Sequence, residues 1–160
     1  TRLAVFGYSM RGWSRSKHEI DDVLTFAGHD TLPSFLSGCD VLVSMLPLTE
    51  STRGLINATT LAYLPRGAFL VNAGRGGHVV DADVIAALES GQLGGALLDV
   101  FHEEPLPKDH PYWLHPNVIV TPHIAATTPI KDACAQIVAK VSAMERGEVV
   151  SGIVDPNVGY

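Results

Sequence analysis

Three groups of polar residues each follow a short apolar run typical of a β-strand. Arg75 lies in the segment Asn-Ala-Gly-Arg-Gly, where a guanidinium could bind a carboxylate in a forked geometry. Asp99 ends a second run and is soon followed by Glu104, while His123 lies just beyond a third. If these runs are parallel strands, their carboxyl ends share one sheet edge, where such folds bind ligands. A simple tight turn with an exposed cation remains the alternative for Gly-Arg-Gly.

A fourth group is a basic, hydroxyl-rich turn after the first well-defined strand, made of Ser14, Arg15, Ser16 and Lys17. A doubly wound nucleotide-binding fold places the adenosine ribose at this point. A carboxylate here would favour NAD, whereas hydroxyls and positive charge favour the 2'-phosphate of NADP. The alternative is an ordinary solvated basic turn.

Two other chemistries fit the sequence less well. A metal site could be assembled only from dispersed loop residues, namely His102, Glu103, Glu104, His110 and His115. Several prolines interrupt that loop, and no paired histidine spacing typical of a metal site occurs, so we expect no metal. A serine nucleophile on a Gly-x-Ser-x-Gly turn is also absent from the sequence.

The elements that must position these residues alternate between strand and helix patterns, which predicts a parallel sheet. Strands are predicted over residues 10–13, 41–46, 69–72, 96–100 and 118–120, and helices over residues 32–36, 60–64, 81–90 and 129–146. Asp81 is the expected N-cap of the third helix, and Gly91 its end. The fourth helix has apolar residues at helical spacing, so we expect it to pack on the sheet. The proline-rich segment 105–116 is expected to be a loop at the ligand-binding edge.

Composition predicts one globular domain. The chain has 160 residues, is 46% hydrophobic and has a formal net charge of -6, which argues against nucleic acid as a partner. No apolar run is long enough to span a bilayer and no leader opens the chain, so we expect a cytoplasmic protein without a membrane partner. Cys39 and Cys134 are expected to be buried, reduced thiols. The last residues, 149–160, lack periodicity and form a predicted tail after the domain 1–148.

These segments, in this order, resemble the D-2-hydroxyacid dehydrogenase family. The resemblance covers essentially the whole chain and includes residues 12–16 (Gly-Trp-Ser-Arg-Ser), residues 45–49 (Met-Leu-Pro-Leu-Thr) and the closing Val-Gly-Tyr. It implies a catalytic triad of Arg75, Glu104 and His123. It further implies that Asp99 faces the nicotinamide carboxamide. The remaining implied cofactor contacts are Leu46, Pro47, Thr52 and Ala73 beside the dinucleotide, and Ser14, Arg15, Ser16 and Lys17 at the 2'-phosphate.

The function that the resemblance implies is reduction of glyoxylate, hydroxypyruvate or a similar small 2-oxo acid with NADPH, and NAD is the less favoured cofactor. A homodimer is compatible with the sequence. Two alternatives stay open: a non-enzymatic module that senses dinucleotides, since a fold does not guarantee activity, and an inactive fragment.

The sequence departs from the family at its start. Members have a Gly-x-Gly-x-x-Gly strand-turn before the basic turn, and this chain contains no such motif. Residues 3–7, with Gly7 and Gly12 as a degraded motif, are a poor substitute, because the ribose turn follows too closely. We therefore expect an α/β fold with an incomplete Rossmann-like, doubly wound parallel sheet. The sheet should lack the first strand and its Gly-rich loop, which would leave two open edges. The expected partner is then an amino-terminal part of the same protein.

Overall fold

Two parallel β-sheets form the frame of the structure, a computed structural model that describes residues 5–126 and 128–154. In the smaller sheet, β1 (Met10–Ser14) pairs with β2 (Val23–Ala27), and Met10 is opposite Val23. The larger sheet has the order β3-β4-β5-β6. Its strands are β3 (Val41–Ser44), β4 (Ala68–Asn72), β5 (Leu93–Leu98) and β6 (Val118–Val120). The predicted α/β class with parallel strands is confirmed.

Four α-helices connect or follow these strands in the described residues. They are α1 (Leu32–Leu36), α2 (Ala58–Leu61), α3 (Asp81–Glu89) and α4 (Ile130–Glu145). α1 packs on β1 and β2, α3 packs on β5, and α2 packs on α3. Asn57 fixes the start of α2, because its side chain accepts the amide hydrogens of Thr59 and Thr60 while the Thr60 hydroxyl accepts the Asn57 N–H.

The hydrophobic core joins β4 and β5 to the helices beside them. Leu70 and Leu93 are fully buried, as is Val84 of α3, and Leu61 of α2 and Leu98 are nearly so. Complete burial of one leucine side chain stabilises the fold by about 1.5–3 kcal/mol. This core therefore stabilises the larger sheet, whose carboxyl end leads into the loops described below.

A gap separates the two sheets. A cavity of about 330 Å³ lies there, lined by residues 11–13 of β1, residues 42–44 of β3 and the apolar side chains of α1. The residues that follow β1 and β3 meet in one further cavity, so the two strands point in the same direction. Val41 and Val43 are half-exposed at this edge. The gap divides the parallel strands of the predicted Rossmann-like fold into two sheets, with β1 and β3 facing it.

The structure corrects several element boundaries. β2 was not predicted from the sequence, because its five residues are at most partly buried and show no clear alternation. β3 ends at Ser44 rather than at residue 46, and β5 covers 93–98 rather than 96–100. β5 begins earlier because Gly95 leaves room for the Phe69 ring, which a Cβ there would approach to 2.9 Å. Segment 105–116 is a loop, as predicted, with a 3-10 turn at Pro111–Trp113.

Three expectations about helices and cysteines are wrong. Asp81 is the first residue of α3 rather than its N-cap, which is Val80. α4 forms where predicted but does not pack on the sheet, since none of its described residues is buried and Ile130 is 80% exposed. Cys39 is a buried free thiol, whereas Cys134 on α4 is exposed. An amphipathic pattern predicts a helix with an apolar face, but it does not specify which surface covers that face.

The chain ends are only partly described. Residues 5–7 form a helical turn rather than a strand, and residues 3 and 4 of the rejected alternative lie outside the described residues. Residues 149–154 of the predicted tail have no helix or strand and are mostly exposed, and residues 155–160 lie outside the described part. Each helix in the described part of the chain is too short or too polar to cross a bilayer.

Candidate active site

His123 and Glu104 form a close hydrogen-bonded pair at the carboxyl end of the larger sheet. His123 follows β6 with a positive φ of 54°, and its N–H donates to the Asp99 carbonyl at 2.9 Å. Nδ1 of His123 lies 2.8 Å from Oε2 of Glu104. The other carboxylate oxygen of Glu104 accepts the Phe101 N–H at 2.9 Å. Glu104 therefore fixes the imidazole ring from its Nδ1 side and leaves Nε2 as the nitrogen available to a ligand.

Hydrogen bonding keeps Glu104 ionised. The bond from His123 and the backbone bond from Phe101 lower the pKa of Glu104, and the small effect of desolvation does not reverse this. The ionised carboxylate is an acceptor for a hydrogen bond from Nδ1 of His123. The pair can therefore hold and deliver a proton.

Asp99 anchors the segment that contains His123. Its Oδ1 accepts the Thr121 hydroxyl and the Ile124 N–H, the latter at 2.9 Å, and its Oδ2 accepts the Ala125 N–H at 2.9 Å. Burial opposes the charge of Asp99, but these hydrogen bonds lower its pKa nevertheless. The chain after β6 has left the sheet, and hydrogen bonds to this buried carboxylate hold it in place.

Arg75 lies on the loop after β4, with its side chain exposed. The buried side chain of Asn72 braces this loop: its Nδ2 donates to the Arg75 carbonyl at 3.1 Å, and its Oδ1 accepts the Gly74 N–H at 3.3 Å. Gly76 permits a close approach to the loop after β5, because a Cβ there would lie 1.9 Å from the carbonyl carbon of Phe101. The glycine therefore brings Arg75 towards the Glu104–His123 pair.

All three residues of the predicted triad line one cavity of about 340 Å³. Its lining residues are Leu48, Arg53, Arg75, Gly76, Gly77, Phe101, His102, Glu104 and His123. A guanidinium beside a histidine–carboxylate pair can bind a carboxylate and exchange a proton with an adjacent oxygen. Sequence reasoning missed Arg53 as part of this site, and nothing in its local sequence distinguishes it from a surface cation.

A second cavity, of about 210 Å³, brings the basic turn together with the loop after β3. Of the predicted cofactor residues it contains Ser14, Arg15, Ser16, Leu46, Pro47 and Thr52. None of the described residues that line it has a carboxylate, and hydroxyls, a guanidinium and imidazoles are present instead. That set of donors suits a 2'-phosphate and is unsuited to the acid-bound ribose of NAD.

Comparison with known proteins identifies the family. The model of the D-isomer specific 2-hydroxyacid dehydrogenase NAD binding domain matches residues 1–125. The chain belongs to this dehydrogenase family. The resemblance inferred from the motifs is thereby confirmed.

Individual relatives of this dehydrogenase chain agree with that result. A glyoxylate/hydroxypyruvate reductase A from Serratia proteamaculans is 47% identical over 159 residues, which are 99% of this chain and 51% of the relative. A dehydrogenase from Xanthobacter autotrophicus Py2, solved with NADPH and MES, has a TM-score of 0.95 at 49% identity, covering 99% of this chain and 65% of that one. The NADPH-dependent glyoxylate/hydroxypyruvate reductase of Sinorhizobium meliloti, solved with NADP and sulfate, gives 0.95 at 42%, covering 99% and 52%. The chain spans about half the length of the curated relatives it matches.

Some predicted cofactor residues of the dehydrogenase chain have mainly internal contacts. The buried Thr52 hydroxyl donates to the Pro47 carbonyl and accepts the Thr49 N–H, both at 2.8 Å. Ala73 donates its N–H to the Ser44 carbonyl at 3.1 Å and lines neither of the two cavities just described. Both residues therefore shape loops, and their contact with a cofactor stays a prediction.

Lys17 and Asp99 line neither of the two cavities of the dehydrogenase chain. The Lys17 ammonium lies 3.9 Å from the Glu19 carboxylate on the surface, with 78% of the lysine side chain exposed. The contact of Asp99 with a nicotinamide also stays a prediction. Conversely, His18, Gly28, His29 and Ser51 line the second cavity and were not predicted. Gly28 and His29 were missed because they follow β2, the strand that the sequence did not reveal.

The histidines of the dehydrogenase chain do not gather acids and thiols into a metal centre. Among residues 5–126 and 128–154, no three His, Cys, Asp or Glu side chains come together in a way that could hold a metal ion. His102 and His110 instead lie near Asp81, whose carboxylate accepts the Tyr112 hydroxyl at 2.9 Å.

Proposed function

We propose that the protein containing this chain reduces glyoxylate, hydroxypyruvate or a similar small 2-oxo acid to the 2-hydroxy acid, with NADPH as reductant. The main support is the single cavity that unites Arg75 with the hydrogen-bonded Glu104–His123 pair. The names of the Serratia and Sinorhizobium relatives point to the same reaction. We also propose that residues 1–148 belong to the dinucleotide-binding domain and residues 149–160 to a tail.

Arg75 is the proposed substrate-binding group. Its exposed guanidinium can bind the 2-oxo acid carboxylate and lie beside the carbonyl oxygen, which acquires negative charge during reduction. Asn72 and Gly76 hold the Arg75 backbone close to the Phe101 loop, which places the base of the arginine side chain near the Glu104–His123 pair.

His123 is the proposed acid. The Glu104 carboxylate orients the ring through Nδ1, and Nε2 delivers a proton to the substrate oxygen as the carbonyl is reduced. After transfer the neutral ring keeps its proton on Nδ1, where Glu104 still accepts a hydrogen bond. Glu104 therefore fixes the orientation of the acid.

The second cavity, which contains residues of the basic turn, is the proposed site of the 2'-phosphate of NADPH. Arg15 would bind the phosphate together with the hydroxyls of Ser14 and Ser16, while Leu46 and Pro47 form the opposite wall. When bound, NADPH supplies the hydride. The absence of a carboxylate from the described lining residues favours NADPH over NADH.

The test is NADPH oxidation by the full-length protein with glyoxylate and with hydroxypyruvate. Arg75→Gln should lower kcat/KM about a hundredfold or more, because a neutral amide cannot replace a charge-assisted fork. Arg66→Gln is the matched control, since Arg66 is an exposed arginine that donates to the Ser90 carbonyl away from both cavities. An Arg75→Gln protein with wild-type kcat/KM would contradict the proposed role.

A further inference from the structure

His78 is a buried histidine directly behind the catalytic arginine. It ends the 3-10 turn Gly76–His78, three residues after Arg75, and its side chain is fully buried. It does not line the cavity of the Glu104–His123 pair. Neither the sequence motifs nor the proposed reaction gives this imidazole a role, yet a buried polar ring requires a compensating interaction.

The ring contacts both of the loops that form the proposed site. Its Nδ1 accepts the backbone N–H of Arg75 at 3.2 Å, and the Ser44 hydroxyl at the end of β3 lies 3.4 Å from the same nitrogen. The backbone carbonyl of Pro47 interacts with the ring from the loop after β3, and Pro47 also lines the second cavity. Nε2 forms no complete hydrogen bond within the described part of the chain.

The packing around His78 is tight enough to fix the separation of the two loops. A Cβ on Gly74 would lie 3.0 Å from the ring Cε1 and Nδ1, and 3.2 Å from the Leu46 carbonyl oxygen. Only glycine therefore fits comfortably between the imidazole and the loop after β3. The ring therefore lies between the loop that contains Arg75 and the loop after β3, which we call the cofactor loop.

The hydrogen bond defines the protonation state that the structure needs. Because Nδ1 accepts the Arg75 N–H, the neutral ring has its proton on Nε2. Burial lowers the pKa of His78; the Pro47 carbonyl opposes this, and the charge of Arg75 adds to it. Ser44 and Pro47 present only neutral groups, so the ring is neutral at neutral pH.

We propose that His78 is a positioning residue for Arg75: its neutral imidazole fixes the Arg75 backbone through the N–H to Nδ1 bond and sets the distance to the cofactor loop. The proposal rests on the proposed function for its kinetic consequence. A doubly protonated ring has two donors and no acceptor, so acidification releases the Arg75 amide. His78 thereby makes the arginine's position sensitive to acid.

The experiment compares three variants of the full-length protein. His78→Leu removes the acceptor, and His78→Gln keeps an oxygen that can accept the Arg75 N–H. His115→Leu is the matched control, because Nδ1 of His115 accepts the Asn117 N–H at 3.2 Å far along the chain from Arg75. The measurements are KM for glyoxylate, kcat, and hydrogen exchange of the Arg75 amide from neutral to acidic pH.

We expect His78→Leu to raise KM for glyoxylate about tenfold with a smaller change in kcat, because the binding arginine loses its support. Its Arg75 amide should exchange about tenfold faster, and His78→Gln should restore both quantities to within about threefold of wild type. In the wild-type protein, protection of the Arg75 amide should fall on acidification, whereas in His78→Gln it should not.

Equal losses in His78→Leu and His78→Gln, or unchanged exchange of the Arg75 amide, would overturn the proposal. If His78→Leu does not fold, the pH dependence of Arg75 exchange in wild type and His78→Gln decides the question. If the wild-type protein reduces no 2-oxo acid, the proposed function fails, and the exchange results still test the positioning role.

Discussion

At the residue scale, each oxygen of Glu104 has its own task. Oε2 contacts Nδ1 of His123, and Oε1 accepts the Phe101 amide hydrogen. The bond to Phe101 therefore holds the carboxylate in position beside the histidine. The lowered pKa of Glu104 keeps it charged throughout the neutral range. In the proposed reaction, we expect this fixed carboxylate to orient the ring of His123.

Replacing this carboxylate should lower the rate of reduction. In Glu104→Gln, the amide has only one oxygen in place of the two that accept the Phe101 N–H and contact Nδ1 of His123, so the ring is held less firmly. We expect kcat to fall about tenfold, and we expect His123→Gln to lower it about a hundredfold or more, because that change removes the acid itself. Glu103→Gln, a neighbouring exposed acid, is the control. Wild-type kcat in Glu104→Gln and His123→Gln would place the acid elsewhere.

The basic turn leads to a prediction about cofactor choice. Arg15 lines the second cavity, whereas Lys17 lies beside Glu19 outside it. Arg15→Asp should reverse the preference for NADPH over NADH, because a carboxylate repels the 2'-phosphate and can accept a ribose hydroxyl. Lys17→Gln should change the ratio of the two kcat/KM values much less. A larger effect at Lys17 than at Arg15 would contradict the position of the phosphate.

At the element scale, the segment after β6 depends on the buried Asp99. Its three hydrogen bonds from residues 121–125 hold a chain that has left the sheet, and His123 has a left-handed backbone in the middle of that chain. Such a conformation persists only where the surroundings fix it. The position of His123 therefore depends on a carboxylate 24 residues earlier in the sequence.

Asp99→Asn should destabilise the fold in a pH-dependent way. The asparagine side chain has one oxygen and one NH2 group, so a donor would face the Ala125 N–H. We expect this change to lower the free energy of unfolding by about 1–3 kcal/mol. Because the folded pKa of Asp99 is lowered, its contribution is complete above the unfolded pKa and is lost as pH falls through the folded pKa. The wild-type advantage in urea unfolding should shrink in acid.

A suitable control for this measurement is Asp83→Asn. The Asp83 carboxylate accepts the Ala58 N–H at 2.8 Å in an exposed bond, so its loss should cost below about 1 kcal/mol. If the two variants have equal stability at every pH, the anchoring role of Asp99 is wrong.

At the scale of the whole molecule, the two sheets do not join. A cavity lies between β1 and β3, and the chain spans about half the length of its curated relatives. We expect the part of the longer relatives that this chain does not match to supply further walls of the proposed substrate and cofactor sites. Substrate reduction requires reactants held in one geometry, so a site without those walls would hold them less well.

We therefore expect the isolated 160-residue chain to reduce glyoxylate poorly or not at all. The measurement is NADPH oxidation by the purified chain, with the full-length protein under the same conditions as the positive control. Steady turnover by the isolated chain at ordinary enzyme rates, on the order of 1–1,000 per second, would show that the described residues suffice.

The sequence by itself determined the order of the candidate site residues along the chain and their location at the carboxyl ends of strands. Arg75, Glu104 and His123 each follow a local apolar run, and short-range periodicity is enough to predict strands and therefore a shared sheet edge. The basic turn and the missing glycine motif were equally visible, because both are local patterns. These features needed no knowledge of which strands are neighbours.

Only the tertiary structure decided which distant groups meet. It showed β2 as the partner of β1, Lys17 outside the cofactor cavity, and His78 between two loops. It also left the apolar face of α4 exposed. Periodicity reports which residues favour burial along one element, whereas strand order, register and loop packing join residues far apart in sequence. Those long-range contacts determine what surrounds each side chain, and no local pattern encodes them.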